Sequence, residues 1–537
     1  MPARCLGGTE AALALILFTQ DDMMIRNRMT SHDGNAGAPH IEDTHRHGTL
    51  KPRRHVQPTG VRELLLLVAL TGGAVVLHGY HGGVEDAEIY LPGVLKHLNP
   101  ALYPRNSEFF GSHAGMTLYP TLIAGSIRLS HLPAATVMLL WHLATIFGFL
   151  FACFRIARLC FSEKHAVWCG VALMASLLTL PVAGTALYIM DQYVTTRSLS
   201  TAASMLALAS ILERRYAAGA VWVVFTMAVH PLMSLFLLVL AGMLVLFESA
   251  KTLAPAMAVV FPLTLFPPVS NSYRAVIETH PYFLLTNWAW YEWLGIFAPL
   301  VMLIAMATYG RRACPGPMAH LLKVLAAFET LFIIAALFIG MPGPLERFAE
   351  IQPMRCLLLV YILLFLLGGC LLGKWVLRRR MWRWALLFAP LCAGMAVAQV
   401  QLFPDSRHLE LPWVQSRNSW VDGFDWIRTH TPQDAYFALD PDYQRLPGED
   451  VHGFRAISQR SIVADYHDSG AASMFPALAP EWLEQVEARR GWKQFQRSDF
   501  LRLKARYGVD WVVLQRPGAF GLVCPYQNER ILVCRID

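Results

Sequence analysis

The chain has 537 residues, is 55% hydrophobic and only 15% charged, and carries a net charge of +7. Soluble globular chains hold about 25% charged residues, so a large soluble core is excluded; with a mean hydropathy of +0.40 the fold class expected is an α-helical polytopic membrane protein. The positive excess then bears on membrane orientation, and no Lys/Arg stripe with interleaved aromatics marks a nucleic-acid groove.

Residues 1–60 read as a disordered cytoplasmic segment. Ala11 to Phe18 is apolar but too short to span a bilayer. It lacks a basic lead and is followed by acidic residues, which makes a poor signal peptide. Ser31 to His55 is rich in Gly, Pro and His and predicts disorder. Met23, Met24 and Met29 are alternative starts.

A transmembrane domain is expected over residues 61–403. Its first span runs from Arg62 to His78, and a long loop follows over 80–115. Met116 to Leu129 is short and contains Pro120, so it reads as an interfacial or re-entrant piece. Further spans are predicted near 133–154, 165–183, 198–212, 217–230, 232–248, 252–268, 286–307, 318–340, 354–373 and 383–402, about eleven in all. Placing the N-terminus in the cytoplasm puts Lys51 to Arg54, Arg155, Arg158, Arg214, Arg215, Lys251, Arg311, Arg312, Lys374 and Arg378 to Arg380 inside. Glu85, Asp86, Glu88, Asp191, Glu278, Glu346 and Glu350 then fall outside, as the positive-inside rule requires.

With an odd number of spans, residues 404–537 form an extracytoplasmic domain. Val421 to Thr429 and Glu481 to Tyr507 predict helices; Ala435 to Leu439, Gly508 to Leu514 and Arg530 to Ile536 predict strands. A small α/β or α+β domain fits this alternation. No internal repeat and no Gly-rich nucleotide loop is present. Most cysteines are scattered without a CxxC pair, which disfavours a zinc site. Cys524 and Cys534 flank a Pro-Tyr-Gln-Asn turn and are either a hairpin disulfide or two unpaired thiols.

Polar residues at the ends of apolar spans are costly unless they line a cavity or act. Glu85, Asp86 and Glu88 follow the first span. Tyr188, Asp191, Gln192, Tyr193 and Arg197 lie at a later junction. His230-Pro231 interrupts a long apolar run, and Arg347, Gln352 and Arg355 open another span. Arg274, His280 and the run Asn287-Trp288-Ala289-Trp290-Tyr291-Glu292-Trp293 fall at the same depth. Each has a plainer reading: Glu88 a solvated loop charge, His230-Pro231 a helix break, the Trp/Tyr run an interfacial belt. Arg355 at a span start needs an anion, either Glu350 or a substrate phosphate.

The pair Glu85-Asp86 after the first span, then Tyr90-Leu91-Pro92 and His97-Leu98-Asn99-Pro100-Ala101-Leu102-Tyr103-Pro104, resembles the first outer loop of the GT-C class of membrane glycosyltransferases. Trp426-Ile427-Arg428-Thr429-His430-Thr431-Pro432-Gln433-Asp434-Ala435 and Tyr507-Gly508-Val509-Asp510-Trp511-Val512-Val513 resemble parts of the outer domain in such proteins. The likeness spans roughly residues 60–537 and is nearest to poorly characterised bacterial members. One departure is the order Glu-Asp, where Asp-Glu or a lone Asp is common.

The resemblance implies an enzyme of the inner (cell) membrane. It would transfer a sugar from a polyprenyl-phosphate donor to a glycan, lipid or protein acceptor, with inversion. Asp86, or else Glu85, would be the carboxylate base. Arg355 and Arg197 would grip the phosphate, with Asp191, His230, Gln352 and Arg347 around the substrate. No metal is demanded, though Glu85 with Asp86 leaves room for a loosely held divalent cation. The competing readings are a flippase or transporter, and a non-catalytic envelope assembly protein with a degenerate site.

Overall fold

The computed structural model describes residues 59–249, 269–309, 317–340, 346–450 and 452–537. The N-terminal segment expected to be disordered and the span expected at 252–268 lie outside the described residues, as does the side chain of Arg347.

The protein is mostly helical. Among the described residues, six helices are long and apolar enough to cross a membrane: α1 (Val61–His78), α5 (Ala134–Cys160), α11 (Trp290–Tyr309), α12 (Pro317–Ile339), the stretch Phe348–Leu377 that contains α13 (Leu357–Leu372), and α14 (Met381–Leu402). This corrects the expectation of about eleven spans. The apolar run at 165–183 is helical only over α6 (Lys164–Ser176), about 20 Å at 1.5 Å per residue. It then turns into irregular backbone inside the protein. The run at 198–212 is α7 (Thr196–Leu212), buried on nearly every side by other helices. Its apolar residues face protein rather than lipid, and composition does not separate the two. The runs at 217–230 and 232–248 become the shorter apolar helices α8 (Tyr216–Val229) and α9 (Pro231–Ser249), which meet at His230. Pro231 breaks the run there because it supplies no backbone donor.

Between α1 and α5 the chain forms α2 (Ala87–Leu98), α3 (Glu108–Met116) and α4 (Tyr119–Ser130). Helix α4 is too short to cross a bilayer, and Pro120 starts it rather than interrupting it. Helix α13 is the buried centre of the bundle. It packs against α6 through small residues: a Cβ at Gly170 would meet the Leu366 carbonyl at 2.6 Å. Such contacts let helix backbones approach where lipid gives no hydrophobic drive.

The tail builds a five-stranded sheet from β1 (Tyr436–Ala438), β2 (Ser461–Ile462), β3 (Trp511–Gln515), β4 (Val523–Gln527) and β5 (Ile531–Arg535), in the order β2-β1-β3-β5-β4. β1 is parallel to both neighbours, and the β3-β5-β4 part is antiparallel. Cys524 and Cys534 form a disulfide across β4 and β5. Helices α15 (Ser419–His430), α16 (Phe454–Ser458), α17 (Ser469–Met474), α18 (Ala479–Glu487) and α19 (Arg497–Tyr507) surround the sheet. The single helix expected over Glu481 to Tyr507 is instead α18, a break at Gly491 with φ +79, and α19. α18 ends at Glu487, and the left-handed Gly491 redirects the chain into a short turn before α19, a conformation glycine takes freely. The tail packs against the loop after α1, so Gly60–Asp537 is one compact unit.

Candidate functional site

The loop after α1 is held by the tail. Gly453 N–H donates to the Gly83 carbonyl at 2.7 Å, and Val84 bridges to His452. The next residue, Glu85, has φ +45, a left-handed conformation that a side chain disfavours and that marks strained functional turns. Asp86 then immediately precedes α2.

The two carboxylates differ sharply. Asp86 Oδ2 lies 3.2 Å from Arg197 Nη1, and its Oδ1 is 3.2 Å from His467 Nε2. Arg197 also donates to Asp191 Oδ1 at 2.8 Å, and the Thr195 hydroxyl donates to Asp191 Oδ2 at 2.6 Å. Thr195 is itself the N-cap of α7, so a helix start orients the whole clamp. Burial alone would raise the Asp86 carboxyl. The His467 hydrogen bond and the positive charges of Arg197, His467 and Arg355 outweigh it and hold Asp86 well below the usual range. The Glu85 carboxylate makes no hydrogen bond or ion pair among the described residues, although its backbone carbonyl accepts from Glu88 N–H at 3.0 Å. Burial, with Asp86 and Asp191 nearby, pushes its carboxyl up to about 7. Neighbouring carboxylates driven apart in this way separate the group that exchanges a proton from the one that stays charged.

His467 comes from the tail, and sequence reasoning missed it. The turn after β2 is tied by its own aspartates: His467 N–H donates to Asp465 Oδ1 at 2.8 Å and Asp465 N–H to Asp468 Oδ2 at 3.1 Å. That turn presents the imidazole to Asp86. Burial would lower the His467 pKa, but Asp86, Asp465 and Glu88 raise it to about 9, so it is a cation at neutral pH. The run Asp465-Tyr466-His467-Asp468 was the available signal, being the densest Asp/His cluster of the tail.

Glu88 is not a solvated loop charge. It is 0% exposed, accepts from Ala456 N–H at 3.2 Å and lies 3.4 Å from Arg455 Nη1. Arg455 in turn grips Asp468 with two bonds, at 2.9 and 2.7 Å. Because Asp468 takes most of that cation, burial still pushes Glu88 up to about 8. A Cβ at Gly453 would meet Glu88 Oε2 at 2.6 Å, so a glycine is needed for the tail to close over this carboxylate.

Arg355 is half-buried and has no ion-pair partner among the described residues. Glu350, the protein anion considered for it, hydrogen-bonds Gln352 and Ser473 and lies within electrostatic reach of Arg355 without forming an ion pair with it. Arg355 lies within electrostatic reach of Asp86, Tyr90, His230, His280 and Tyr282. Gln352 is buried with φ +47, a second strained turn beside Arg355. His230 caps α9 through Nδ1, which accepts from Met233 N–H at 3.4 Å. The aromatic run divides: Trp288 is buried and donates to the Tyr282 carbonyl at 3.2 Å, whereas Trp290 is 75% exposed. Tyr282, Phe283, Leu285, Trp288 and Met354 form a collar at Arg355 around a cavity of about 10 Å³, room for a single water.

Thus Glu85, Asp86, Asp191, Arg197 and His467 form one charged cluster, and Asp86 and His230 lie within electrostatic reach of both Arg197 and Arg355, while Gln352, Arg355 and Tyr282 line the small cavity. Five buried polar atoms in this region lack a hydrogen-bond partner, namely Arg197 Nε, Arg355 Nε, His113 Nδ1, Gln352 Oε1 and Glu350 Oε2; others lie elsewhere, at His81, His142, Glu329, Gln444, His452 and Asp465. No group of His, Cys, Asp and Glu among the described residues is arranged to hold a metal ion, and both Asp86 oxygens already face cations. No protein-family model matches the chain, and no curated protein is detectably similar to it.

Proposed function

We propose that the protein is a membrane glycosyltransferase that moves a sugar from a polyprenyl-phosphate donor to an acceptor hydroxyl at the outer face of the cell membrane. One observation carries this reading: a carboxylate without an ion pair, Glu85, stands beside a charge-saturated one, Asp86, and a cation that forms no ion pair among the described residues, Arg355, lies within electrostatic reach of Asp86. The outer placement is part of the proposal and rests on counting Lys and Arg over the eleven alternating spans expected from sequence, a count the six long apolar helices among the described residues do not reproduce.

In this mechanism Glu85 accepts the proton of the acceptor hydroxyl as its oxygen bonds to the anomeric carbon. The bond from that carbon to the phosphate oxygen breaks with inversion, and the electron pair stays on the lipid phosphate. Arg355 stabilises the charge developing there. From sequence alone Asp86 is the preferred base. Its two cationic partners make it the weaker proton acceptor, so we assign it to fixing Arg197 and His467. Arg197, held between two carboxylates, has little charge left for phosphate. The collar around Arg355 must open to admit a lipid chain, and Tyr282 and Trp288 are positioned to pack against it.

The test is sugar transfer in proteoliposomes supplied with polyprenyl-phosphate sugars. Glu85→Gln should lower turnover by about 10²–10⁴-fold, the usual worth of a general base. Arg355→Ala should raise KM for the donor. Full turnover by both variants would falsify the assignment. A transport reading draws on Glu329, a carboxyl on α12 that is 0% exposed with both oxygens unpartnered, because intramembrane carboxylates often mark ion paths. Loss of lipid-linked sugar translocation, with transfer intact, in Glu329→Gln would favour it.

A further inference from the structure

Three carboxylates and one guanidinium are shut inside the junction between the 80–115 loop and the tail. Glu88 on α2 is 0% exposed, and Asp465, Asp468 and Arg455 from the tail are each 1% exposed. Arg455 commits two bonds to Asp468, at 2.9 and 2.7 Å, and reaches Glu88 only at 3.4 Å. Asp465 Oδ1 accepts the His467 and Asp468 N–H groups, while its Oδ2 has no partner. Arg489, within electrostatic reach of Asp465 and Asp468, is taken up by the Gln485, Leu439 and Ala464 carbonyls.

The charges there do not balance. The other groups facing Glu88 are the neutral phenols of Tyr103 and Tyr443, and His467, whose charge is paired with Asp86. His113 on α3 faces Asp468, and His280, in the segment before α11, faces His467. Burial lowers the pKa of both histidines, so they add no charge. Three carboxylates thus share one guanidinium, and an ionised Glu88 would be a buried charge without its own counter-ion, a costly state. A proton removes that cost, in keeping with the burial that pushes Glu88 up to about 8 and Asp465 up to about 6. A protonated Glu88 still accepts the Ala456 N–H at 3.2 Å.

We propose that Glu88 is a proton-binding site that controls closure of the tail over the loop. A proton on its carboxyl holds α16 and the Asp465 turn shut, and loss of that proton releases them. The same turn carries His467, so release also withdraws the cation from Asp86. When the junction opens, water reaches Glu88 and its carboxyl returns to its ordinary value of 4.5. Between pH 4.5 and about 8 closing therefore takes up a proton, and raising the pH across that window favours the open form. The proposal does not depend on Glu85 acting in transfer.

The experiment uses the full chain in nanodiscs and follows hydrogen exchange from about pH 5 to about pH 9, corrected for the intrinsic pH dependence of amide exchange. The readout is protection of the backbone amides of 86–90 and 454–458, with those of α13 as the reference. Protection at the junction should fall as pH rises, by up to about tenfold per pH unit for each proton released. Asp465 adds its proton only below about pH 6, so the Glu88 proton is read most clearly between there and about pH 8. Glu88→Gln keeps an uncharged side chain of the same shape and should remove one proton's share of the fall. The same substitution in a His467→Gln background should remove the same share, because the histidine titrates a separate proton. The proposal is overturned if wild-type protection at the junction stays level with pH, if it falls equally in α13, or if Glu88→Gln leaves the fall unchanged in either background.

Discussion

Two adjacent side chains, Glu85 and Asp86, have opposite electrostatic fates. Asp86 shares its turn with Glu85 but is ion-paired to Arg197 and His467; at Glu85 desolvation and the like charges of Asp86 and Asp191 outweigh the more distant Arg197 and His467. This difference sets the expected pH dependence. A base must be deprotonated, so kcat/KM should rise as pH passes about 7, where Glu85 titrates. His467 must stay protonated to hold Asp86, so the rate should fall as pH passes about 9. In His467→Gln the alkaline fall should disappear while the acid limb remains. The same pair affects stability: the raised His467 pKa adds stability at low and neutral pH that is lost as pH rises through about 9. A second residue-scale prediction concerns Arg455, 1% exposed between Glu88 and Asp468. Arg455→Met leaves two buried carboxylates without their cation and should cost about 3–5 kcal/mol in denaturation of the purified protein. Arg428→Ala, which breaks a half-exposed pair with Asp425, should change stability by less than about 1 kcal/mol.

At the scale of elements, packing decides what composition leaves ambiguous. α13 is as apolar as the lipid-facing helices, and α6 and α7 carry long apolar runs, yet all three are buried in the bundle. Gly170 and Gly369 permit the α6–α13 contact, since a Cβ at Gly369 would meet Gly170 Cα at 3.0 Å. Gly170→Leu should therefore force these helices apart and destabilise the protein by about 1–3 kcal/mol or more, read as a lower melting temperature in detergent. A leucine at Gly72, where nothing lies within 4 Å, should leave it unchanged. The break at His230-Pro231 was legible in sequence, whereas the Thr195 cap that starts α7 was not singled out there. That His230 and Arg197 come within electrostatic reach of each other was not legible either, because it depends on how α7 and α9 pack.

Across the whole molecule, the tail is a wall of the candidate site and not an appendage. His467 reaches Asp86, Arg455 and Ala456 seal Glu88, and the Tyr103 hydroxyl donates to the Arg455 carbonyl at 2.9 Å. Asn106 donates to the Ile462 carbonyl at 3.1 Å, fastening the same loop to β2. A chain ending near Pro404 should therefore lose transfer and expose the 80–115 loop to protease. Supplying residues 404–537 separately should restore activity only if the two pieces reassociate; transfer by the truncated chain alone would show that the tail is dispensable.

Composition and hydropathy alone determined that this is a helical membrane protein with a mixed α and β tail, because burial of apolar runs and strand alternation are local properties. They also marked Glu85, Asp86, Arg197, His230 and Arg355 as charges or polar groups that need a reason to sit beside apolar spans. Only the tertiary structure decided the number of long apolar helices, the burial of Glu88, the pairing of Asp86 with a histidine 381 positions away, and the isolation of Glu85. Those outcomes depend on which distant group desolvates or neutralises each charge, and partners so far apart in the chain leave no local signal.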